Sequence, residues 1–142
     1  MAEQKIARVA TTIDAPAEEV WRALVTPETI TRYMFGAQVE SEWKEGSPIV
    51  WKGEWQGKPY EDKGVIRRVD RPRMLSYTHY SPLSGLPDEP GSYHTVTIEL
   101  ADQAGGTRVS LAQDNNATEQ ARAHSEKNWS MVLDGLKKEL EK

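Results

Sequence analysis

Cysteine is absent from the 142-residue sequence, and phenylalanine occurs only once. The lack of cysteine excludes disulfides, thiolate catalysis, zinc–thiolate sites and iron–sulfur clusters. No segment approaches the ~18 consecutive apolar residues of a membrane span, and the N-terminal MAEQKIARV has no apolar signal-peptide core. We therefore expect a soluble protein, cytoplasmic by default, without integral membrane association.

Charge and histidine spacing argue against two further classes of function. Lysine and arginine number 18 against 22 aspartate and glutamate residues; the formal charge of −4 and the absence of basic runs argue against nucleic-acid binding. The three histidines, His79, His94 and His124, are scattered and lack metal-binding spacing. We expect a single domain over residues 1–142, with no metal and no cofactor.

The first 34 residues predict a strand followed by two short helices. Between residues 5 and 13 apolar side chains alternate with polar ones, as in a strand with one buried face. Pro16 suits the first turn of a helix, and Thr26-Pro27 ends that helix because a residue before proline avoids the α conformation. A second short helix is predicted at residues 28–34.

The middle of the chain alternates with a period near two, which predicts an antiparallel meander. Its strands are predicted at residues 37–43, 48–55, 60–69, 74–80, 93–100 and 107–113. Each strand has one apolar face, so another element must cover one side of the sheet. An amphipathic helix over residues 117–142 can do so, because its apolar stripe contains Trp129, Val132, Leu133, Leu136 and Leu140.

Four ring-bearing side chains share the sheet face that is predicted to look toward this helix: Trp51, Trp55, Tyr77 and His79. The chain has five tryptophans and five tyrosines, and rings with a polar atom suit a half-solvated surface. A curved sheet that presents such rings to a helix can enclose a ligand cavity. The alternative is that these rings fill an ordinary core.

The inward stripe of the last helix becomes polar toward its N-terminal end. Counting back from Trp129 at helical spacing gives Ser125, Arg122 and Thr118. If the helix covers the sheet there, these side chains line the mouth of a pocket, and Arg122 is placed to pair with an anionic head group. If the first two turns extend into solvent, the polarity has no functional meaning. The predicted ligand-binding residues are therefore Trp51, Trp55, Tyr77, His79, Arg122, Ser125 and Trp129.

His79 is the one predicted inward residue with acid–base chemistry. It suits either a general base or a neutral structural histidine. The nearby carboxylates are expected in outward or turn positions: Glu40, Glu42, Glu54, Glu61 and Asp62. We therefore predict no paired acid and base and assign no catalytic residue.

Residues 81–91 read SPLSGLPDEPG, with three prolines and two glycines. This composition predicts an irregular loop long enough to be functional. Two interpretations are open: a mobile flap over a pocket, or a tolerated insertion.

Several segments resemble the activator of heat-shock-protein-90 ATPase homologue family, within the birch-pollen-allergen-like and lipid-transfer START-like group. The most specific are DAPAEEVWRAL (14–24), GVI (64–66) followed by RPRMLSYTH (71–79), TVTIELADQAGGTRVSL (95–111) and WSMVLDGLKKEL (129–140). The resemblance implies an α+β helix-grip fold. In that fold a curved antiparallel sheet of six or seven strands packs on a long C-terminal helix, two short helices join the first two strands, and a hydrophobic cavity is common.

The resemblance implies several functions, because fold does not determine function. The first interpretation is a binding domain for a hydrophobic or amphipathic, lipid-like molecule held between sheet and helix. The alternative is a co-chaperone module that contacts a heat-shock chaperone ATPase or another protein in the stress response. Chaperone activation is the weaker expectation, because this chain starts at the first strand, without the extra N-terminal domain of the eukaryotic co-chaperones. An enzyme that uses the cavity is the third interpretation.

Overall fold

The computed structural model describes residues 5–34, 36–82 and 85–141, except for the side chain of Trp55. The described residues contain three α-helices: α1 (Ala17–Val25), α2 (Pro27–Tyr33) and α3 (Glu119–Leu140). Seven strands make up the sheet: β1 (Lys5–Ile13), β2 (Gln38–Ser41), β3 (Pro48–Trp55), β4 (Lys58–Asp70), β5 (Met74–His79), β6 (His94–Gln103) and β7 (Gly106–Asn116). Every predicted element is confirmed, with bounds that differ by a few residues at the ends.

The seven strands pair antiparallel in the order β1-β7-β6-β5-β4-β3-β2. The two helices α1 and α2 connect β1 to β2, which are the two edge strands. Each connection from β3 to β7 joins strands that are neighbours in the sheet. The connection from β5 to β6 is the longest of these and includes a 3-10 turn at Pro90–Ser92. The predicted α+β helix-grip architecture is therefore confirmed.

Strand β4 has different main pairing partners along its length. Its first part pairs with β3 from Lys58 to Val65, whereas its second part pairs with β5 from Ile66 onward. Gly64 lies at the change, and a Cβ atom there would stand 1.7 Å from the carbonyl oxygen of Thr78. Only glycine allows the two backbones to approach this closely.

The long helix α3 covers the concave face of the sheet. Its buried side chains are Val132, Leu133 and Leu136, which pack with the apolar strand faces and with α1 and α2 in one core. The apolar character of these positions follows the helical spacing seen in the sequence. Within the described residues, no helix combines the length and apolar character needed to cross a bilayer.

The described part of the 81–91 loop lies against the outer face of the sheet. The hydroxyl of Tyr80 donates to the carbonyl of Leu86 at 2.7 Å, and Asp88 pairs with Lys63 and accepts from Tyr93. Lys63 and Tyr80 have the opposite parity from Asp62 and His79, whose side chains reach the concave side. These contacts of the described residues are on the face of the sheet away from α3, whereas Leu83 and Ser84 lie outside the described residues.

Candidate ligand-binding site

A cavity of about 290 Å³ lies between the concave face of the sheet and the N-terminal half of α3, and it is partly open to solvent. It sits at the lower end of the size range of ligand pockets. Side chains from five strands, from α3 and from the α2–β2 connection line it: Met34, Ala37, Trp51, Tyr60, Asp62, Tyr77, His79, His94, Gln113, Ser125, Asn128, Trp129 and Val132.

The inner end of the cavity adjoins a narrower apolar pocket of about 30 Å³. Met34, Trp51, Tyr77, Trp129 and Val132 line both spaces. The narrow pocket continues into the core, where its other walls are aliphatic and aromatic side chains. The site is therefore polar at its outer end and apolar at its inner end.

Three aromatic groups pack together on the floor of the cavity. The ring centroids of Trp51 and Tyr77 are 5.3 Å apart, and those of Trp51 and His79 are 5.0 Å apart in an edge-on arrangement. Burial raises the pKa of Tyr77 well above its ordinary value. The Tyr77 hydroxyl therefore stays protonated in the physiological pH range and remains a neutral hydrogen-bonding group.

Asp62 and His79 form a pair on neighbouring strands. The Nε2 atom of His79 lies 2.8 Å from Oδ2 of Asp62, and the Asp62 side chain is only 14% exposed. The second oxygen, Oδ1, is buried without a hydrogen-bond partner among the described residues. Burial and then the negative charge of Asp62 raise the pKa of Tyr60, which is another cavity-lining residue. Asp62 thus carries a buried charge that the protein satisfies only in part.

His94 stands opposite His79 in the β5–β6 register. Their rings are nearly parallel, with centroids 6.4 Å apart. The Nδ1 atom of His94 lies 2.9 Å from the carbonyl oxygen of Asp114. A carbonyl only accepts, so Nδ1 carries the proton and Nε2 of the neutral ring presents a lone pair.

A closed hydrogen-bond network joins β7 and α3 at the cavity. The indole Nε1 of Trp129 donates to Oε1 of Gln113 at 2.6 Å, and Nε2 of Gln113 donates to both Asn116 and Ser125. The Ser125 hydroxyl donates to Oδ1 of Asn116 at 3.0 Å, and Nδ2 of Asn116 donates to the carbonyls of Lys5 and Gln113. Each donor in this network is used within the protein.

This network makes a prediction for stability. Trp129→Phe removes the indole N–H and leaves Oε1 of the buried Gln113 without that donor. We expect the free energy of unfolding to fall by about 1–3 kcal/mol, the cost of an unsatisfied buried polar group. Urea denaturation measures the change, with the exposed Ser130→Ala on the same helix as control. A loss no larger than that of the control would contradict the role given to this hydrogen bond.

Five of the seven residues predicted to bind a ligand line the cavity: Trp51, Tyr77, His79, Ser125 and Trp129. Strand parity brings the first three to the concave face, and helical spacing brings the last two. Trp55 ends strand β3, and its side chain lies outside the described residues, so the structure gives no position for that prediction.

Arg122 and Thr118 do not line the cavity. The Arg122 guanidinium forms ion pairs with Glu119 and, at 2.6 Å, with Glu126. The backbone N–H of Arg8 and then the Arg122 guanidinium lower the pKa of Glu126. Thr118 is the N-cap of α3, where its hydroxyl accepts from the backbone N–H of Ala121. The expectation that Thr118 and Arg122 line the pocket mouth is thus corrected, because the start of α3 uses these two side chains for capping and ion pairs, whereas Ser125 does line the cavity.

Sequence reasoning missed Asp62, Tyr60, His94 and Gln113 as cavity residues. The expectation that Asp62 points outward is wrong. The alternation along β4 could have indicated the inward position of Asp62. Its side chain shares the parity of Tyr60, Gly64 and Ile66, and Ile66 is buried in the core. With Asp62 inward, the expectation of no paired acid and base is also corrected. In the part of the chain that the structure describes, no cluster of three or more histidine or carboxylate side chains is arranged to hold a metal.

A curved antiparallel sheet that holds a long C-terminal helix over a cavity defines a helix-grip protein. Residues 14–141 match the family model described as "Activator of Hsp90 ATPase homolog 1-like protein", and the chain belongs to this family. The family resemblance seen in the sequence is confirmed. No curated protein matches the chain.

Solved structures show the same fold over nearly the whole chain. ChR145 from Cytophaga hutchinsonii is 57% identical with a TM-score of 0.87, and the match covers 99% of this chain and 97% of that chain. MLL2253 from Mesorhizobium loti is 21% identical with a TM-score of 0.77, over 95% of this chain and 96% of that chain. The Aha1 dimer from Colwellia psychrerythraea is 18% identical with a TM-score of 0.73, over 96% of each chain. The last two similarities concern the fold alone.

Proposed function

We propose that the protein binds a small amphipathic molecule in the cavity between the sheet and α3. The observation that carries the proposal is the polarity gradient of a cavity of about 290 Å³, from Asp62, His79 and His94 at one end to the narrow apolar pocket at the other. Ligand sites combine an apolar lining with a few polar groups that orient the ligand. The volume favours a compact molecule of one or two rings over a long-chain lipid.

The polar groups of the cavity support binding over simple core packing. A core formed only for stability avoids a buried carboxylate with an unpaired oxygen, because such a group costs free energy. Here Asp62 faces a space large enough for a ligand, and Oδ1 has no partner among the described residues. Unpaired buried polar groups of this kind are found at functional sites.

The family description supplies a second candidate, namely contact with a heat-shock chaperone ATPase. This role uses the outer surface of the domain and does not require a cavity. The two candidates therefore differ in their response to a substitution that closes the cavity and leaves the outer surface intact.

Asn128 lines the cavity but is also exposed on α3, so its substitution is compared with the same substitution at an exposed neighbour. Asn128→Trp fills the outer end of the cavity, whereas Lys127→Trp adds the same side chain at an exposed position of the same helix that does not line it. With naphthalen-1-ylmethanol as probe, we expect Asn128→Trp to weaken binding by about tenfold or more through loss of contact volume. We expect Lys127→Trp to bind like the wild type.

Isothermal titration calorimetry measures the three affinities. Equal affinity of both tryptophan variants, or no binding of the probe to the wild type, would contradict the proposed function. Chaperone contact would be favoured if a chaperone ATPase responded equally to the wild type and to Asn128→Trp.

A further inference from the structure

The formal charges of the cavity lining are unequal. Of the described residues that line it, Asp62 is the only one with a carboxylate, and no lysine or arginine is among them. Arg122, the nearest cation anticipated from the sequence, is held by Glu119 and Glu126 outside the lining. The Asp62 carboxylate therefore makes the potential in the cavity negative, and its burial to 14% exposure reduces the screening of that charge by solvent.

The two histidines add acceptors to the same wall. Because a carboxylate accepts hydrogen bonds, the neutral His79 ring carries its proton on Nε2 toward Asp62, which leaves Nδ1 as an acceptor. The proton of His94 is on Nδ1, toward the Asp114 carbonyl, which leaves Nε2 as an acceptor. These two ring nitrogens are left to interact with a ligand, and each can accept a hydrogen bond from a donor group of that ligand.

The other wall provides little to attract an anion. The N–H groups of Trp129, Gln113 and Asn116 and the hydroxyl of Ser125 are all used within the network. The hydroxyls of Tyr60 and Tyr77 and the amide of Asn128 can each donate or accept, so they do not favour one sign of charge. A carboxylate in this cavity would meet the negative charge of Asp62 without a cation to offset it.

The aromatic lining favours a cation further. Trp51, Trp129, Tyr60 and Tyr77 surround the same space. A cation close to the face of such a ring is attracted by the ring quadrupole, most strongly where water is excluded. Charge, acceptor placement and aromatic lining thus point to the same head group.

We infer that the cavity selects ligands with a protonated amine head on a compact apolar body, and discriminates against carboxylates. The amine donates to His79 and His94 beside Asp62, while the apolar body lies in the main cavity against Trp51 and Val132. This inference rests on the proposed function and refines it. It also replaces the anionic head group that Arg122 suggested in the sequence.

Three probes of one shape test the inference: naphthalen-1-ylmethanamine, naphthalen-1-ylmethanol and 1-naphthoate. Calorimetry at about pH 8 keeps ordinary histidines neutral and the amine largely protonated. We expect the wild type to bind the amine most tightly and the carboxylate most weakly, with a ratio of about tenfold or more from the charge of Asp62. The neutral alcohol is expected between them.

Asp62→Asn removes the charge and keeps the size of the side chain. In this variant we expect the ratio between amine and carboxylate to fall below about threefold. Arg122→Gln is the matched control, because Arg122 does not line the cavity, and it should keep the wild-type order. Thermal unfolding of each variant confirms that it is folded; the order of the three probes in the wild type is a test that needs no variant.

The outcomes separate the inference from the proposed function. Wild-type binding of the carboxylate equal to or tighter than the amine overturns the inference, and so does an unchanged ratio in a folded Asp62→Asn. In both cases the binding of the alcohol leaves the proposed function standing. If none of the three probes binds, the proposed function itself is contradicted.

Discussion

Leu136→Ala is expected to lower the free energy of unfolding by about 2–5 kcal/mol, because it removes buried apolar atoms and leaves a cavity. Leu136 has 0% of its surface exposed and lies on the inward face of α3, in contact with the common core. The loss is a large fraction of the total stability of a domain of this size. Equilibrium denaturation in urea measures it.

Met131 on the same helix provides the control. Its surface is 45% exposed, so Met131→Ala should change the free energy of unfolding by no more than about 0.5 kcal/mol. A loss in Leu136→Ala as small as that of the control would mean that another face of α3 packs on the sheet.

Gly64→Ala is expected to destabilise the protein by about 3 kcal/mol or more, or to prevent folding. A Cβ atom at this position would stand 1.7 Å from the oxygen and 2.5 Å from the carbon of the Thr78 carbonyl. These are backbone atoms, so no rotation of a side chain relieves the overlap. The strands β4 and β5 would have to separate close to the Asp62–His79 pair.

Gly91→Ala is the matched control for this substitution. No atom lies within 4 Å of a Cβ built at Gly91, and its backbone is not in the left-handed region. We expect this variant to unfold like the wild type in thermal and urea denaturation. A Gly64→Ala variant within about 0.5 kcal/mol of the wild type would show that the close approach of β4 and β5 is not required.

The fold could be predicted because each element carries its own periodic signal. Alternation of apolar residues located the strands, the proline positions separated α1 from α2, and the stripe from Trp129 to Leu140 identified α3. Antiparallel pairing followed from the short connections. The family resemblance gave the same architecture from a different set of residues.

Only those site residues that follow the same periodic pattern as the core residues could be predicted from the sequence. Trp51, Tyr77 and Trp129 are large inward residues, and their place in the cavity follows from parity or helical spacing. Asp62 also follows the parity of β4, but its charge led to the expectation of an outward position, since carboxylates are rarely buried. Asp62 is an exception to this general rule, because its side chain is only 14% exposed and lies beside His79.

The interpretation of Arg122 failed for a different reason. Helical spacing predicts the face of α3 on which a residue lies, but it does not predict which neighbouring groups a long, flexible side chain contacts. Glu119 and Glu126 lie three and four residues away on the same helix, where opposite charges pair readily. These local ion pairs hold the guanidinium away from the cavity.

The central claim is that a ligand enters the cavity between the sheet and α3, and the indole N–H signals of the tryptophans test it most directly. Trp51 and Trp129 line the cavity, whereas Trp21 is buried at 4% exposure in α1 and lines neither the cavity nor the narrow pocket. On titration with naphthalen-1-ylmethanol, followed by two-dimensional proton–nitrogen NMR, we expect the signals of Trp51 and Trp129 to shift while that of Trp21 stays in place. Shifts confined to Trp21, or no shift of Trp51 and Trp129 at saturating probe, would contradict the account.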